Sequence, residues 1–487
     1  MVSKGNLHMN YTAQKDSDKH LLSLAGIPFI LFAIIAAVVM TIYREDNRYN
    51  SIFILPIAYI INSICFPRVY SGIRKSPLTI LVVCGYFFRL VICPLLFCMG
   101  GYESGLTSNS ASASNVTRAV LLFSLESFVV FFVASSKYKY RIGENEPENI
   151  NFSEYNVTLA NTSIVLLTIF LIFAYYSVPA LKTIYIFLPN ANLQDLVTLR
   201  WDNETIVARG SSSRVLYSLF IFLWQLLRMP IMAYFMSIIY KRRRDTRFGV
   251  WLSMLCLLIP SIFLSGDNIT PILGALLGIL VISRLYVNTG KGPIRAIGIV
   301  FIIAFLAVFI SKVSLFTYYG GTSTLSTVSQ TLNAYIPGFD NAAAGFAKVT
   351  STNKFEVLFN DFMYAIPFNQ TLFGVTGDRF TRLFGMSINS TGSIPPFGYQ
   401  LAFYFGIPIS AIITGLIVNW AYNSEIKSFR TSDFWTYFLN MFFSIYTGIS
   451  ISCYSFSTFI SSSIGMFLPL WLIVFFGRKR KNSNVRR

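Results

Sequence analysis

The sequence predicts an all-α polytopic membrane protein with about 12 transmembrane helices. Three observations predict it. The 487 residues are 54% hydrophobic and only 12% charged, with a mean hydropathy of +0.58. A soluble domain of this size cannot hide so much apolar surface, whereas a bilayer can. The apolar residues fall in twelve separate stretches, most of them near the ~20 residues that cross ~30 Å of hydrocarbon as a helix. Most of the 39 Lys and Arg then fall on one side when the connectors are assigned alternately, as the positive-inside rule requires.

The stretches are 21–43, 52–66, 78–100, 119–136, 157–179, 215–240, 249–264, 271–289, 296–316, 397–422, 433–451 and 455–476. The first is too long for the apolar core of a cleaved signal and lacks a small-residue cleavage site, so it is expected to stay as a span. Ser265-Gly266-Asp267-Asn268 splits one long apolar run into the seventh and eighth spans, a pair that re-entrant helices would also satisfy.

The basic side holds Lys4, Lys15 and Lys19, then Arg68, Arg74 and Lys75, then Lys137, Lys139 and Arg141. It continues with Lys241 to Arg244 and Arg247, with Arg284, Lys291 and Arg295, with Lys427 and Arg430, and with the RKRK…RR tail. Both termini are thereby expected to be cytoplasmic. The chain divides into an N-terminal segment 1–20, helices 1–5 over 21–179, a first large outer loop 180–214, helices 6–9 over 215–316, a second large outer loop 317–396, helices 10–12 over 397–476 and a basic tail 477–487. The second outer loop is polar and aromatic without being low-complexity, which predicts a folded segment. Within it, Phe355 to Phe368 has the pattern of a short amphipathic surface helix.

Charge and motifs exclude several functions. The net charge of +18 would suggest nucleic acid in a soluble protein. Here the basic residues flank apolar spans, so they report topology and no nucleic-acid partner is expected. His8 and His20 are the only histidines, and both precede the first span. That removes His-based acid–base or metal chemistry from the outer face. The six cysteines form no CxxC pair, so neither structural zinc nor disulfides are expected. No phosphate-binding P-loop or dinucleotide fingerprint occurs, so the expected chemistry needs no cofactor, metal or nucleotide.

Charges on the outer side of this pattern and inside the spans are the candidates for chemistry. The first outer loop holds Arg200, Arg209 and Arg214, and the second holds Arg379 and Arg382. Guanidinium matches phosphate oxygens in a two-pronged geometry and stays charged at any working pH. Arg228 lies deep in the sixth span, where a charge is costly and functional by default. Arg89 lies in the third span at the depth of Glu126 in the fourth, so a buried ion pair holding two helices in register is the first expectation for that pair. The outer carboxylates able to act as bases include Asp195, Asp202, Glu204, Asp267, Asp340, Glu356, Asp361 and Asp378, and spacing does not choose among them.

The segment STGSIPPFGYQLAFYFGIPISAIITG, residues 390–415, resembles the stretch that closes the large periplasmic loop and enters the tenth span of bacterial O-antigen polymerases, the Wzy family of oligosaccharide repeat-unit polymerases. The matching residues are Gly392, Ile394, Pro395, Tyr404, Phe405 and Gly406, with the last three contiguous where the family pattern spaces them. LNAYIPGFDNAAAGF, residues 332–346, resembles the start of the same loop. Many family members carry Gly-Ser-Arg after the seventh span, and this chain has Gly266-Asp267-Asn268 there. The resemblance implies a GT-C-like membrane glycosyltransferase of the bacterial inner membrane, with the large loop between spans 9 and 10 on the periplasmic side. It would transfer a growing glycan from undecaprenyl pyrophosphate onto another lipid-linked repeat unit, next to a chain-length-regulating co-polymerase. Arg200, Arg209, Arg214, Arg228, Arg379 and Arg382 would hold the pyrophosphate, and Asp340 or Asp378 would take the acceptor proton. Tyr319 and Tyr335 would stack on sugar rings, as would Tyr318 and Tyr364. The alternative is a flippase for lipid-linked oligosaccharides, which Arg89 and Arg228 would suit, though no internal repeat is visible.

Overall fold

The structure, a computed structural model, describes residues 25–43, 46–73, 76–100, 112–137, 158–177, 211–243, 246–262, 324–348, 353–366, 394–431 and 433–477, with isolated positions in 282–310 and 373–384. The described residues are helical throughout, apart from turns. In chain order the helices are α1 (Ala25–Ile42), α2 (Ile54–Cys65), α3 (Arg68–Gly72), α4 (Pro77–Gly100), α5 (Ala113–Lys137), α6 (Thr158–Ser177), α7 (Ser211–Arg243) and α8 (Arg247–Ile262). There follow α9 (Thr324–Tyr335), α10 (Phe339–Lys348), α11 (Lys354–Ala365), α12 (Phe397–Phe405), α13 (Ile407–Arg430), α14 (Phe434–Cys453) and α15 (Phe456–Gly477). Among them α1, α4, α5 and α15 are both long and apolar enough to cross a membrane.

The helix ends follow local chemistry. Ser76 caps α4, accepting from the Thr79 N–H at 3.0 Å, and Pro77 fills the first position, where its missing N–H costs nothing. Asn353 caps α11 by accepting from the Glu356 N–H at 3.4 Å. Ser455 caps α15 by accepting from the Thr458 N–H at 3.2 Å. The amphipathic helix expected in the second loop is α11: it buries Val357 and Asp361 while Phe355, Phe359 and Phe362 face outward.

Two expected spans are not single straight helices. The third, α4, carries a π-helical turn at Phe88–Ile92, which includes Arg89. The tenth, expected as 397–422, is broken into α12 and α13 at Gly406, whose φ of +88° and ψ of 161° suit glycine alone. The eighth and ninth spans lie almost wholly outside the described residues.

The chain forms two compact units. The first comprises residues 1–146, 312–429 and 443–461. Within it α2 and α10 pack on α5, α9 packs on the last turns of α4, and α12 lies against α5 and α11. One end of this unit is tied by Glu425, which accepts from Ser76 Oγ at 2.6 Å and from the Leu78 N–H at 3.1 Å. An acidic side chain at the amide end of α4 is favoured by the helix dipole. At the same end Lys137 Nζ donates to Asn423 Oδ1 at 2.7 Å. The opposite end carries a ring cluster of Tyr49, Phe97 and Phe339, with Phe97 5.1 Å from each of the other two, and Arg118 over the Phe346 ring at 5.5 Å.

The second unit comprises residues 147–311, 430–442 and 462–487. There α7 packs on α6 and α8. Met229, Met232, Ala233, Met236 and Tyr240 form its buried stripe at helical spacing. Pro230 lies inside α7, where it removes one backbone hydrogen bond.

Gly406→Ala is expected to destabilise the protein by about 1–3 kcal/mol, because alanine does not tolerate that backbone conformation. Gly465→Ala, in α15 with open space around its Cα, is expected to be neutral or stabilising by up to ~1 kcal/mol. Thermal unfolding of the two variants in detergent measures the contrast.

Candidate functional site

The polar centre of the first unit is the Arg89–Glu126 pair. Arg89 Nη1 lies 3.3 Å from Glu126 Oε1, and the two side chains are 1% and 0% exposed. Tyr86 donates its hydroxyl to the same oxygen at 2.7 Å. Arg89 Nη2 donates to the Ser452 carbonyl at 2.9 Å, and its guanidinium lies over the Phe123 ring at 5.1 Å. The π-helical turn widens α4 where Arg89 leaves it, as such turns do at functional or strained positions. The ion pair expected from depth alone is therefore present, and it joins α4, α5 and α14 rather than two helices only.

Two glycines make room for it. A Cβ on Gly398 would overlap Glu126 Oε2, and one on Gly85 would overlap Ser452 Oγ. Gly398 belongs to the segment that carries the sequence resemblance, and its part in the structure is close packing against a buried carboxylate.

Above this layer the two resemblance segments meet. Asn341 Nδ2 donates to the Ile394 carbonyl at 3.4 Å. Phe346 meets Tyr399 edge-to-face at 5.0 Å, and the Tyr399 ring lies directly on Gly345, where no side chain would fit. Tyr399 also contacts Phe380 at 6.1 Å and Phe384 at 5.7 Å. These two buried rings flank Arg382 in sequence, and Arg379 immediately precedes Phe380.

A hydrogen-bond network fixes the same segment. Asp361 Oδ1 accepts from the Phe380 N–H at 3.4 Å. Its Oδ2 accepts from Tyr404 Oη at 3.0 Å and Gln400 Nε2 at 3.3 Å. Gln400 Oε1 accepts in turn from the Ser457 N–H at 3.1 Å. Tyr404, one of the motif residues, is thus an anchor for the loop. Sequence reasoning placed Asp361 only among possible bases and did not find Gln400. Its one signal was a Gln on an apolar helix, which implies a buried polar partner.

Asp340 is fully buried at the start of α10. Neither of its carboxylate oxygens has a hydrogen-bond partner among the described residues. The backbone N–H groups of Asn341 and Asp340 act on the carboxylate in the direction that lowers its pKa, by less than burial raises it. Burial dominates and pushes the carboxyl from its ordinary 3.8 up to about 6. Tyr49 senses this charge, and burial pushes its own phenol up to about 12. The carboxylate has no exposed face here at which an acceptor hydroxyl could reach it.

The remaining candidates are less fully described. Arg214 lies in the first turn of α7 and Arg228 near its middle, next but one to Pro230. Tyr335 ends α9. Arg200, Arg209, Asp378, Arg379, Arg382 and Tyr319 lie outside the described residues, as do Asp195, Asp202, Glu204, Asp267 and Tyr318. Among the described residues no three Asp, Glu, His or Cys side chains gather as a metal-ligand group. No family model matches the chain, and no curated protein or solved structure matches it either.

Glu126→Gln is expected to cost about 3–5 kcal/mol, because it leaves Arg89 charged and buried. Gly398→Ala forces the same carboxylate aside and is expected to cost about 1–3 kcal/mol. Chemical or thermal unfolding in detergent measures both. Asp340 gives a pH signature of opposite sign to an ordinary ion pair. Because its pKa is raised on folding, its unfavourable contribution is absent below pH 3.8 and complete above about pH 6. In buffer free of alkali and alkaline-earth cations, stability of the wild type should fall by on the order of 3 kcal/mol from this group as pH rises through that window. Asp340→Asn should remove that component of the pH profile.

Proposed function

We propose that this protein polymerises lipid-linked oligosaccharide repeat units at the outer face of a bacterial inner membrane. The observation that carries the reading is the convergence on Tyr399 of three segments. These are α10 with its resemblance motif, α12 with the second motif, and the rings of Phe380 and Phe384, which neighbour Arg379 and Arg382 in sequence. The reading needs the loop's Arg residues to be anchored to the helical unit, and Phe380 and Phe384 supply such anchors.

In this reading the acceptor sugar hydroxyl attacks the anomeric carbon of the donor glycan. The bond from that carbon to the pyrophosphate oxygen breaks, and undecaprenyl pyrophosphate leaves with the electron pair. The bond energy resides in the glycosyl phosphate, so no nucleotide is consumed. Arg200, Arg209, Arg214, Arg379 and Arg382 neutralise the charge that builds on the leaving pyrophosphate, which is the largest electrostatic demand of the step. Arg228 supports them from within α7. Tyr319 and Tyr335 stack on sugar rings. Between the two candidate bases, Asp378 is assigned the acceptor proton, since it adjoins Arg379, whereas Asp340 is sealed from solvent. Displacement in one step inverts the anomeric centre. The bilayer supplies the lipid-linked substrates, and a co-polymerase would set chain length.

The flippase alternative needs charged groups lining a central cavity. Arg89 has Glu126, Tyr86 and Ser452 around it rather than a substrate cavity, so that argument rests on Arg228 alone.

The test is the banding of surface lipopolysaccharide in a strain deleted for the gene and complemented with wild type, Arg209→Ala or Arg382→Ala. Core plus a single repeat in the deletion is expected, with Arg variants that express normally but restore the ladder on the order of 100-fold less efficiently. Loss of even the single repeat would reject polymerisation in favour of flipping.

A further inference from the structure

The turn between α9 and α10 gathers oxygens that the rest of the fold leaves unsatisfied. Asn333 Oδ1, both oxygens of Asp340 and Asn341 Oδ1 are buried without a hydrogen-bond donor. Three oxygens border the space beside Gly338, within 4.0 Å of where a Cβ there would stand. Asn333 Oδ1 is 3.2 Å from that position, Asp340 Oδ1 3.5 Å and the Ile336 carbonyl oxygen 4.0 Å. Asn333 is 2% exposed, and Asp340 and Asn341 are 0% exposed. The amide nitrogen of Asn341 is turned away, toward the carbonyls of Asn333 and Ile394 at 3.4 Å each.

Buried acceptors without donors are costly, and a buried carboxylate without a counter-charge is more so. Arg89 is committed to Glu126 and Ser452, and Arg118 lies over Phe346. Water answers acceptors only where several polar groups surround it, and it leaves the charge uncompensated. A cation answers both demands at once. Carboxylate, amide and carbonyl oxygens are hard donors, which suit alkali and alkaline-earth ions rather than zinc or copper. One carboxylate is neutralised by one positive charge, and a divalent ion would leave a net charge buried.

We propose that this turn is a binding site for a monovalent hard cation, with Na+ as the probe, held by Asn333 Oδ1, the Asp340 carboxylate and the Ile336 carbonyl. Asn341 keeps Asn333 and Ile394 in place around it. The ion would clamp the end of α9 to the start of α10 and, through Asn341, to the segment entering α12. Gly338 is required because a side chain there would fill the space between the oxygens, although its backbone conformation is one alanine adopts. The site stands whether or not the chain polymerises glycans, because its readout is ion binding and stability.

The experiment is thermal unfolding of the full-length protein in detergent, with NaCl replaced stepwise by choline chloride at constant ionic strength, and with KCl and CaCl2 as further arms. A saturable rise in Tm of roughly 5 °C with Na+ is expected. It should vanish in Asp340→Asn and in Gly338→Ala. Asp340→Asn keeps the side-chain shape and relieves the burial of charge, so it is expected to fold, which its gel-filtration elution and helical circular dichroism check. Binding of radioactive 22Na+ to the wild type gives a readout independent of any variant. Absence of Na+ binding, an equal response to choline, or an undiminished response in both variants would overturn the proposal. A response to Ca2+ alone would overturn the monovalent assignment.

Discussion

A charge pair in an apolar interior organises the first unit. Arg89 and Glu126 sit where neither alone is affordable in free energy, so their positions fix those of the helices that bear them. Each further group around the pair is then constrained. Tyr86 must donate to the carboxylate, the Ser452 carbonyl must face the guanidinium, and α12 must present a glycine where Glu126 approaches. The π-helical turn in α4 is the backbone's adjustment to the same requirement. Because α12 begins at this layer, with Gly398 against Glu126, the start of α12 inherits its position from the buried ion pair.

The polar groups of the unit form separate layers that differ in how completely they are satisfied. Around Asp361 most acceptors meet donors, and the result is a rigid tie between α11, α12 and the start of α15. Around Asp340 they do not, and a fully buried carboxylate is raised to about 6. A satisfied network is what a scaffold requires. An unsatisfied one, sealed from solvent and fitted around a glycine, points to an occupant. The two carboxylates lie in the same loop and looked alike as candidate bases in the sequence.

Glycines serve three different ends in this unit. Gly406 turns the chain between α12 and α13 in a conformation closed to other residues. Gly398 and Gly345 admit a carboxylate and a tyrosine ring against the backbone. Gly338 leaves open the space that three oxygens border. The motif Tyr404-Phe405-Gly406, met first as a family resemblance, thus has a local physical meaning: an anchoring hydroxyl followed by a break in a helix.

The sequence by itself determined the helical class, the apolar segments and the amphipathic α11. These depend on local periodicity and hydropathy, which neighbouring residues encode. It also determined that Arg89 and Glu126 should meet, because an intramembrane charge has few ways to be tolerated. Only the tertiary structure decided that Ser452 completes that pair, that Gln400 and Tyr404 hold Asp361, and that Asp340 is buried without a donor. Each of these joins residues far apart in the chain, and the energy of a buried polar group depends on which distant partner folding brings to it. The break at Gly406 stands between the two cases. A glycine was visible there, but whether the helix ran through it was settled by the packing on either side.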